Sequence, residues 1–533
     1  MPRQRLREIA AGWLLACIAT LAVAAPASAA GVQANVEALI RNADLRNTKV
    51  SIVAIDLTHQ RLLVSINPDA PMIPASNMKL ITSAAALDLL GPDFVFRTRL
   101  SLIPPEGGTS SNAQPAGAAG AKLPGGLPGG GPSLLVAGDG DPAFGDPKVL
   151  AEHDIDIEQF LNQWVAAAVK TGYKRFDRII IDDRIFDAAF VQDSWPVDQL
   201  NRWYCAEVSG LNFHTNCLDV YPSPSQYKGA PPRVELKPLA PFVQTENKAR
   251  TGSDDTFWIS RRHNTNDLAF HGVVRTALTK PVPVTVHDPP MFFGQLLRDR
   301  LKKQGVEVGE VVRVNESMRL DGAKPILVVQ STLPLVLARV NQDSQNLYAE
   351  SLIKRVGRKV TGQPGSWENG AAAVRIVLRQ RLGAAAAAIQ IADGSGMSRD
   401  NQVTARLLTA LLESMFRDKD KGPIYFASLS EAGESGTLDD RLENVPGELH
   451  GKTGYLRSVS SLSGYLLLRP SDLAPPGGGN PASDDEPVVI VFSMLFNDFS
   501  HPVSITTVRA VQDRIVRELS RYAVEQMPQP AGR

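Results

Sequence analysis

The sequence predicts a mixed α/β (α+β) protein, and three observations carry that expectation. Apolar residues make up 43% and charged residues 21% of the 533 residues, close to the globular average, so a core of ordinary size can form. A hairpin of alternating residues over 48–67 runs directly into a helix over 73–92 that is apolar almost all round. Near the other end, two apolar strands over 460–468 and 487–495 precede an amphipathic helix over 505–525. The same composition excludes global disorder and a polytopic membrane protein, and the length suggests roughly two to four domains. Lysine plus arginine and aspartate plus glutamate number 56 each, and no basic stripe stands out. The electrostatic footprint of a nucleic-acid binder is therefore missing.

Residues 1–29 read as a secretory signal peptide. Arg3, Arg5 and Arg7 form a basic stretch, 10–25 is an apolar run, and Ala27-Ser28-Ala29 is a small-x-small cleavage site. A retained anchor is disfavoured because the run falls short of the ~20 residues of a spanning helix. Leu14-Leu15-Ala16-Cys17 has the look of a lipoprotein box, but cleavage there leaves a very short apolar region. The expectation is an exported, periplasmic protein whose membrane association is at most peripheral.

The hairpin over 48–67 follows from the alternation in Lys49–Ile55 and Arg61–Ile66 across a polar turn. In the next helix Pro74 precedes the start, Ser76 sits in the first turn and Gly91-Pro92 ends it. Residues 104–132 are a low-complexity Pro/Gly/Ala/Ser loop that cannot form a core. From 133 to about 286 short strands (178–181) mix with helices (157–169). A helix near 292–303, further strands and a long helical region over 333–382 come next. A second loop over 470–486 separates the two late strands. After cleavage two cysteines remain, Cys205 and Cys217, in a compartment where disulfides persist. A disulfide between them, worth roughly 3 kcal/mol by the chain-entropy argument, is expected. A metal site with His214 lacks a fourth ligand, and no H-E-x-x-H occurs, so no metal or cofactor is expected.

Three short motifs carry chemistry. Ser76-x-x-Lys79 places an amine beside a hydroxyl on one helix face, where the helix N-terminus favours developing negative charge. Ser225-x-x-Lys228 and Ser351-x-x-Lys354 match the string, but one lies in a Pro/Ser-rich loop and the other inside a long helix. Ser344-x-Asn346 falls at a helix-to-helix junction, where side chains can point into a cleft. Ser65-x-Asn67 and Ser110-x-Asn112 lie at a strand end and in the low-complexity loop. Lys452-Thr453-Gly454-Tyr455 leads into the 460–468 strand, and its flanking glycines allow a substrate backbone to approach. Its copy Lys170-Thr171-Gly172-Tyr173 ends a helix, with Gly172 as the cap.

In that order and on those elements, the constellation resembles the penicilloyl-serine transferases, serine β-lactamases and penicillin-binding proteins. Flanking sequence narrows the resemblance: Asn346-Leu347-Tyr348-Ala349-Glu350, Asp393-Gly394-Ser395-Gly396-Met397-Ser398-Arg399-Asp400-Asn401 and Gly436-Thr437-Leu438. These are similar to the low-molecular-mass class C penicillin-binding proteins, periplasmic D-alanyl-D-alanine carboxypeptidase/endopeptidases. The resemblance implies a transpeptidase/β-lactamase-like domain, an antiparallel sheet with flanking helices, built from 31–98 and 286–533. The separation of 268 positions from Ser76 to Ser344 implies a large inserted mixed α/β region at 99–285. Gly138-Asp139-Gly140-Asp141-Pro142 lies inside it and is read as a turn, with no catalytic role.

The implied activity is penicillin-sensitive acyl transfer on peptidoglycan pentapeptide stems and cross-links, with β-lactams as covalent inhibitors. Ser76 is the expected nucleophile and Lys79 its base, which requires burial and the like charge of Lys452 to lower its pKa from ~10.4. Ser344 relays a proton to the leaving amine, and Asn346 binds Lys79 or the substrate amide. Lys452 and Thr453 hold the terminal carboxylate, and the N–H groups of Ser76 and Tyr455 form the oxyanion hole. The family has Ser or Thr after Lys-Thr-Gly where this chain has Tyr455, which weakens carboxylate recognition or shifts substrate preference. A serine β-lactamase and a catalytically impaired peptidoglycan-binding homologue are the alternatives. A Ser-His-Asp hydrolase is disfavoured, since no G-x-S-x-G occurs. Lys170→Ala should leave acylation by penicillin intact and Lys452→Ala should weaken it strongly; equal effects would refute the strand assignment.

Overall fold

A computed structural model describes residues 29–105, 130–315, 318, 320, 322–387, 389–473 and 486–527. The signal peptide but for its last residue, most of the 104–132 loop, Ser110-x-Asn112 and most of the 470–486 loop lie outside the described residues.

Six antiparallel strands form the central sheet, in the order Ser430–Glu431, Glu448–Leu456, Val459–Leu468, Val488–Asn497, Lys49–Asp56 and Arg61–Ile66. Both faces of its centre are covered, which is why Val459–Leu468 and Val488–Asn497 are buried from end to end and read as apolar runs rather than as alternation. Ile490, Phe492, Met494 and Phe496 point to one side, under the helices Ala29–Asn42 and Ile505–Gln526. Val489, Val491 and Leu495 point to the other, where the Ser76 helix and its neighbours lie.

That second layer is the reason for the apolar helix. Ala75–Asn77 forms a single 3₁₀ turn that runs into the α-helix Met78–Leu90, and Gly91, at φ 88°, ends it. Around it pack Leu333–Asn341, Asn346–Thr361, Trp367–Leu382 and Ala405–Phe416, so the expected long helical region is three helices with two breaks. The polar groups of the buried helix are satisfied: Thr82 Oγ1 donates to the Gly394 carbonyl at 2.7 Å, and Asn341 Nδ2 donates to Ser83 Oγ at 3.1 Å.

The second unit is larger than expected. Its five-stranded mixed sheet has the order Glu307–Arg313, Arg175–Asp182, Ser133–Ala137, Val95–Ile103, Lys324–Thr332. The helices Ile157–Val169 and Pro289–Lys303 share its core, where Phe144, Trp164 and Phe293 meet edge to face at 5.1–5.2 Å. Boundaries at 99 and 285 therefore cut through one sheet and one core; the unit runs from 95 to 332. The Gly138–Pro142 run sits where the units meet: Asp139 pairs with Arg355 of the Asn346–Thr361 helix at 3.1 Å, while Asp141 accepts from Ser331 Oγ of the same unit at 2.7 Å.

The expected disulfide is absent: Cys205 and Cys217 are both free and buried. Cys205 ends a 3₁₀ turn and joins the core of the helical layer, whereas Cys217 opens the strand Cys217–Ser223 opposite Thr285. Burial pushes the Cys205 thiol up to about 12 and raises Cys217 as well, so neither supplies the thiolate that oxidation needs. His214 Nδ1 is engaged by the Cys217 carbonyl at 2.9 Å. Iodoacetamide should alkylate both cysteines when the protein is denatured without reductant, and neither while it is folded; a peptide pair joined through the two sulfurs would contradict this.

Candidate active site

The Ser76 turn is built on strain and close approach. Ala75, just before Ser76, has φ 46°, in the left-handed region that non-glycine residues avoid. The strand Glu448–Leu456 presses against this turn: a Cβ on Gly454 would lie 2.1 Å from Ser461 Oγ and 3.0 Å from both the Ser76 nitrogen and the Pro74 carbonyl. Gly454 thus serves the close approach of the Ser461 hydroxyl and the Ser76 turn rather than of a substrate. Ser461 Oγ donates to the Pro74 carbonyl at 2.7 Å and Asn77 Nδ2 to Ser463 Oγ at 2.6 Å, tying the turn to the neighbouring strand. Gly396 approaches the same turn from the far side, where a Cβ would fall 1.8 Å from the Ala75 carbonyl.

Lys79 Nζ makes three hydrogen bonds: to Ser76 Oγ at 3.1 Å, Asn346 Oδ1 at 2.6 Å and the Ser395 carbonyl at 3.0 Å. Two of these partners can only accept. A neutral amine has two protons for them, so its lone pair is left for the one partner that carries a proton, the Ser76 hydroxyl. Burial lowers the Lys79 pKa to about 7, against the pull of the carboxylates of Glu350 and Asp393. The expected contribution of Lys452 runs the other way: Lys79 is one of the charges that depress Lys452, after burial itself. Asn346 also donates to the Tyr204 carbonyl at 2.8 Å, which fixes its amide orientation.

Lys452 Nζ donates to Ser344 Oγ and to the Thr453 carbonyl, both at 2.9 Å. Ser344 itself has φ 56°, in the break between Leu333–Asn341 and Asn346–Thr361. Thr453 Oγ1 donates to Thr437 Oγ1 at 2.8 Å. Tyr455 is 54% exposed, with the Arg509 guanidinium 6.0 Å from its ring centre. Two groups thus form around the crevice, Ser76–Lys79–Asn346 and Ser344–Lys452–Thr453. The Ser344–Asn346 turn bridges them.

The decoys separate cleanly. Lys354 Nζ binds Asp187 at 2.7 Å, while Ser351 Oγ accepts from Asn212 at 3.2 Å. Lys170 caps the helix Ile157–Val169.

Sequence reasoning passed over Glu350 and Asp393. Buried Glu350 accepts from the Gly394 and Ser395 amides at 2.9 and 2.8 Å and from Trp367 Nε1 at 2.7 Å. Asp393 accepts from the Gly396 and Ser398 amides at 2.8 and 2.6 Å. Together they shape the loop whose Ser395 carbonyl orients Lys79. The available signal was a charged residue four after Asn346 on an otherwise buried helix face. Among the described residues no His, Cys, Asp and Glu group could hold a metal ion, and no helix is long and apolar enough to cross a membrane.

Residues 32–520 match the D-Ala-D-Ala carboxypeptidase 3 (S13) family. The chain is 30% identical to the D-alanyl-D-alanine carboxypeptidase of Actinomadura sp. (strain R39), over 97% of this chain and 90% of that protein. It is 23% identical to D-alanyl-D-alanine carboxypeptidase DacB of Haemophilus influenzae, over 79% and 82%. In fold it is similar to the crystal structure of penicillin binding protein 4 (dacB) from Haemophilus influenzae, with a TM-score of 0.69 at 21% identity, over 91% of this chain and 98% of that one.

If the amine must be neutral to act, acylation by penicillin should rise about tenfold per pH unit in acid and level off above about 7. Burial pushes the Glu350 carboxyl up to about 7 as well, so its charge is only partly present where Lys79 titrates, and Glu350→Gln should move that midpoint only slightly to lower pH. A midpoint near the ordinary lysine value of 10.5 would refute Lys79 as the base.

Proposed function

Because the chain belongs to the D-Ala-D-Ala carboxypeptidase 3 (S13) family, and is thereby a serine-type carboxypeptidase, we propose that Ser76, Lys79, Ser344 and Lys452 carry its acyl transfer on peptidoglycan stem peptides. The observation that carries this reading is the amine of Lys79, held at 3.1 Å from Ser76 Oγ with its other two partners both carbonyls. Ser76 Oγ gives its proton to Lys79 and attacks the carbonyl carbon of the penultimate D-alanine. The N–H groups of Ser76 and Tyr455 hold the oxyanion, and losing one such donor typically costs about 3–4 kcal/mol. The C–N bond then breaks, and the proton held by Lys79 passes through Ser344 to the leaving D-alanine amine. Water hydrolyses the acyl-serine and regenerates the hydroxyl.

Lys452 and Thr453 receive the terminal carboxylate. Before substrate arrives, Lys452 is pushed well below the ordinary lysine range by burial and by Lys79. An arriving carboxylate supplies a counter-charge and restores the ammonium, and a charged Lys452 in turn favours a neutral Lys79. The hydroxyl that the family carries after Lys-Thr-Gly is absent at Tyr455; the Thr453–Thr437 pair supplies hydroxyls at the same end of the crevice. Among the described residues the strand Glu448–Leu456 pairs on its outer side only with Ser430–Glu431, opposite His450 and Gly451. Residues 452–456 therefore offer an edge along which a peptide can lie as an added strand.

The same site would cleave D-alanyl cross-links as an endopeptidase and would be acylated by β-lactams. Such substrates place the protein outside the cytoplasm, in keeping with the export signal expected at 1–29 and a periplasmic location. A fluorescent penicillin should label the purified protein covalently, and Ser76→Ala should abolish both labelling and D-alanine release from a pentapeptide. Labelling that survives the substitution would remove Ser76 as nucleophile, and rapid turnover of a chromogenic cephalosporin would favour a β-lactamase.

A further inference from the structure

Outside the crevice, one exposed surface has a composition that the core does not require. The strands Thr245–Asn247, Trp258–Arg261 and Leu268–His271 form a small sheet of the inserted unit. Ile259, Leu268 and Phe270 point inward and are buried. The opposite face carries Trp258, Ser260, Ala269 and His271. Trp258 lies directly across from His271, with ring centres 4.1 Å apart and planes within 13°. Ser260 Oγ holds His271 Nε2 at 2.9 Å. The histidine thus covers one face of the indole, and 48% of the tryptophan remains exposed. A rigid aromatic plate is presented to solvent.

Two residues along the same strands a groove of about 440 Å³ begins, lined by Glu246, Ser260, Arg262, Asp267 and Ala269. Its charges are matched: Arg262 pairs with Asp267 at 2.8 Å and Glu246 with Lys248 at 2.8 Å. A polyanion or polycation finds no net field here, and one exposed aromatic is too small an apolar patch for a protein interface. An aromatic face beside planar, hydrogen-bonding side chains is instead complementary to a sugar ring, with its C–H face against the π-cloud and its hydroxyls and amides to the rim.

We propose that this sheet binds the neutral glycan strand of the cell wall, with Trp258 as the stacking platform and the Glu246–Arg262–Asp267 rim as its polar contacts. The sheet is tied to the catalytic crevice. Asn201 Nδ2 donates to the Ile259 carbonyl at 3.0 Å and Arg261 Nη2 to the Leu200 carbonyl at 3.2 Å. The same segment reaches Tyr204, whose carbonyl holds Asn346. A glycan on this face therefore sits on the scaffold of the crevice that would receive its stem peptides. The choice of wall glycan rests on the peptidoglycan substrate proposed above, whereas the binding itself does not need the catalytic residues.

The test uses the full-length protein with its crevice first blocked by penicillin, and peptide-free glycan strands released by amidase and end-labelled with a fluorophore. Fluorescence anisotropy should report binding by the wild type and an affinity at least about tenfold lower for Trp258→Thr, which keeps a strand-favouring residue at this position. Glu246→Ala should bind more weakly as well, and both variants should be acylated by penicillin at the wild-type rate. Absence of binding by the wild type, or equal binding by correctly folded Trp258→Thr and Glu246→Ala, would overturn the proposal. Failure of acylation in the wild type would count against the catalytic reading alone.

Discussion

Lys79 lies wholly buried between a helical layer and a sheet, and an isolated ammonium in such surroundings costs several kcal/mol. The surrounding structure meets that cost by letting the group titrate near 7 rather than by supplying a direct ion-pair partner. Much of the remaining architecture is a consequence of this arrangement. The helix Met78–Leu90 is enclosed by the four helices packed around it, which keeps water from the amine in its first turn. The carbonyls of Asn346 and Ser395 must come from elements far away in sequence, since helix residues adjacent to Lys79 cannot reach its tip from that side. Glu350 and Asp393 act at one remove. They bind the amides of the 394–398 loop and so spend their lone pairs on positioning, while their charge keeps Lys79 from falling so low that it would be a poor base.

The parts of this arrangement that were legible in the sequence are those in which a local rule and a chemical need coincide. The nucleophile helix stood out because Ser, Asn and Lys occupy the first turn of an otherwise apolar segment, and its end was marked by Gly91. The strand that carries Lys452 was distinguished from its copy at Lys170 by the neighbouring chain, a long apolar strand in one case and a helix cap in the other. The late strands and the last helix were placed to within about two residues, since both strand faces are buried and the helix is amphipathic. The features that stayed hidden depend on contacts between distant segments. Gly454 reads as an opening for substrate until the Pro74–Ser76 turn is seen to occupy that space. Glu350 reads as one more helix charge until its carboxylate is found under the Gly394 and Ser395 amides.

Two larger expectations failed for the same reason. A boundary near 285 looked natural where a strand-rich stretch gives way to a helix, but composition does not reveal sheet pairing. Glu307–Arg313 and Lys324–Thr332 form the two edges of the sheet that Val95–Ile103 begins. The cysteine pair looked like a cross-link because its spacing and compartment allow one. Spacing says nothing of direction, and the two thiols enter different parts of the interior, each protonated by its burial.

The position of the insertion has a mechanical consequence for the crevice. Ser344 occupies a left-handed conformation costing of order 1–3 kcal/mol that only its surroundings can maintain. The preceding residue, Asp343, is gripped by Lys148 of the inserted unit at 2.6 Å and by Arg339 on the helix before it. Arg339 is itself held by Asp146 of the inserted unit at 2.7 Å, and Asp146 also accepts from Tyr348, four residues beyond Ser344. Both sides of the Ser344 turn are therefore clamped by one short stretch, Asp146–Lys148. Arg339 and Asp146 are buried, so removing either partner would leave an uncompensated buried charge. The inserted unit is thus part of what holds the Ser344 hydroxyl against Lys452, and the strain at Ser344 is maintained by ion pairs that join the two units.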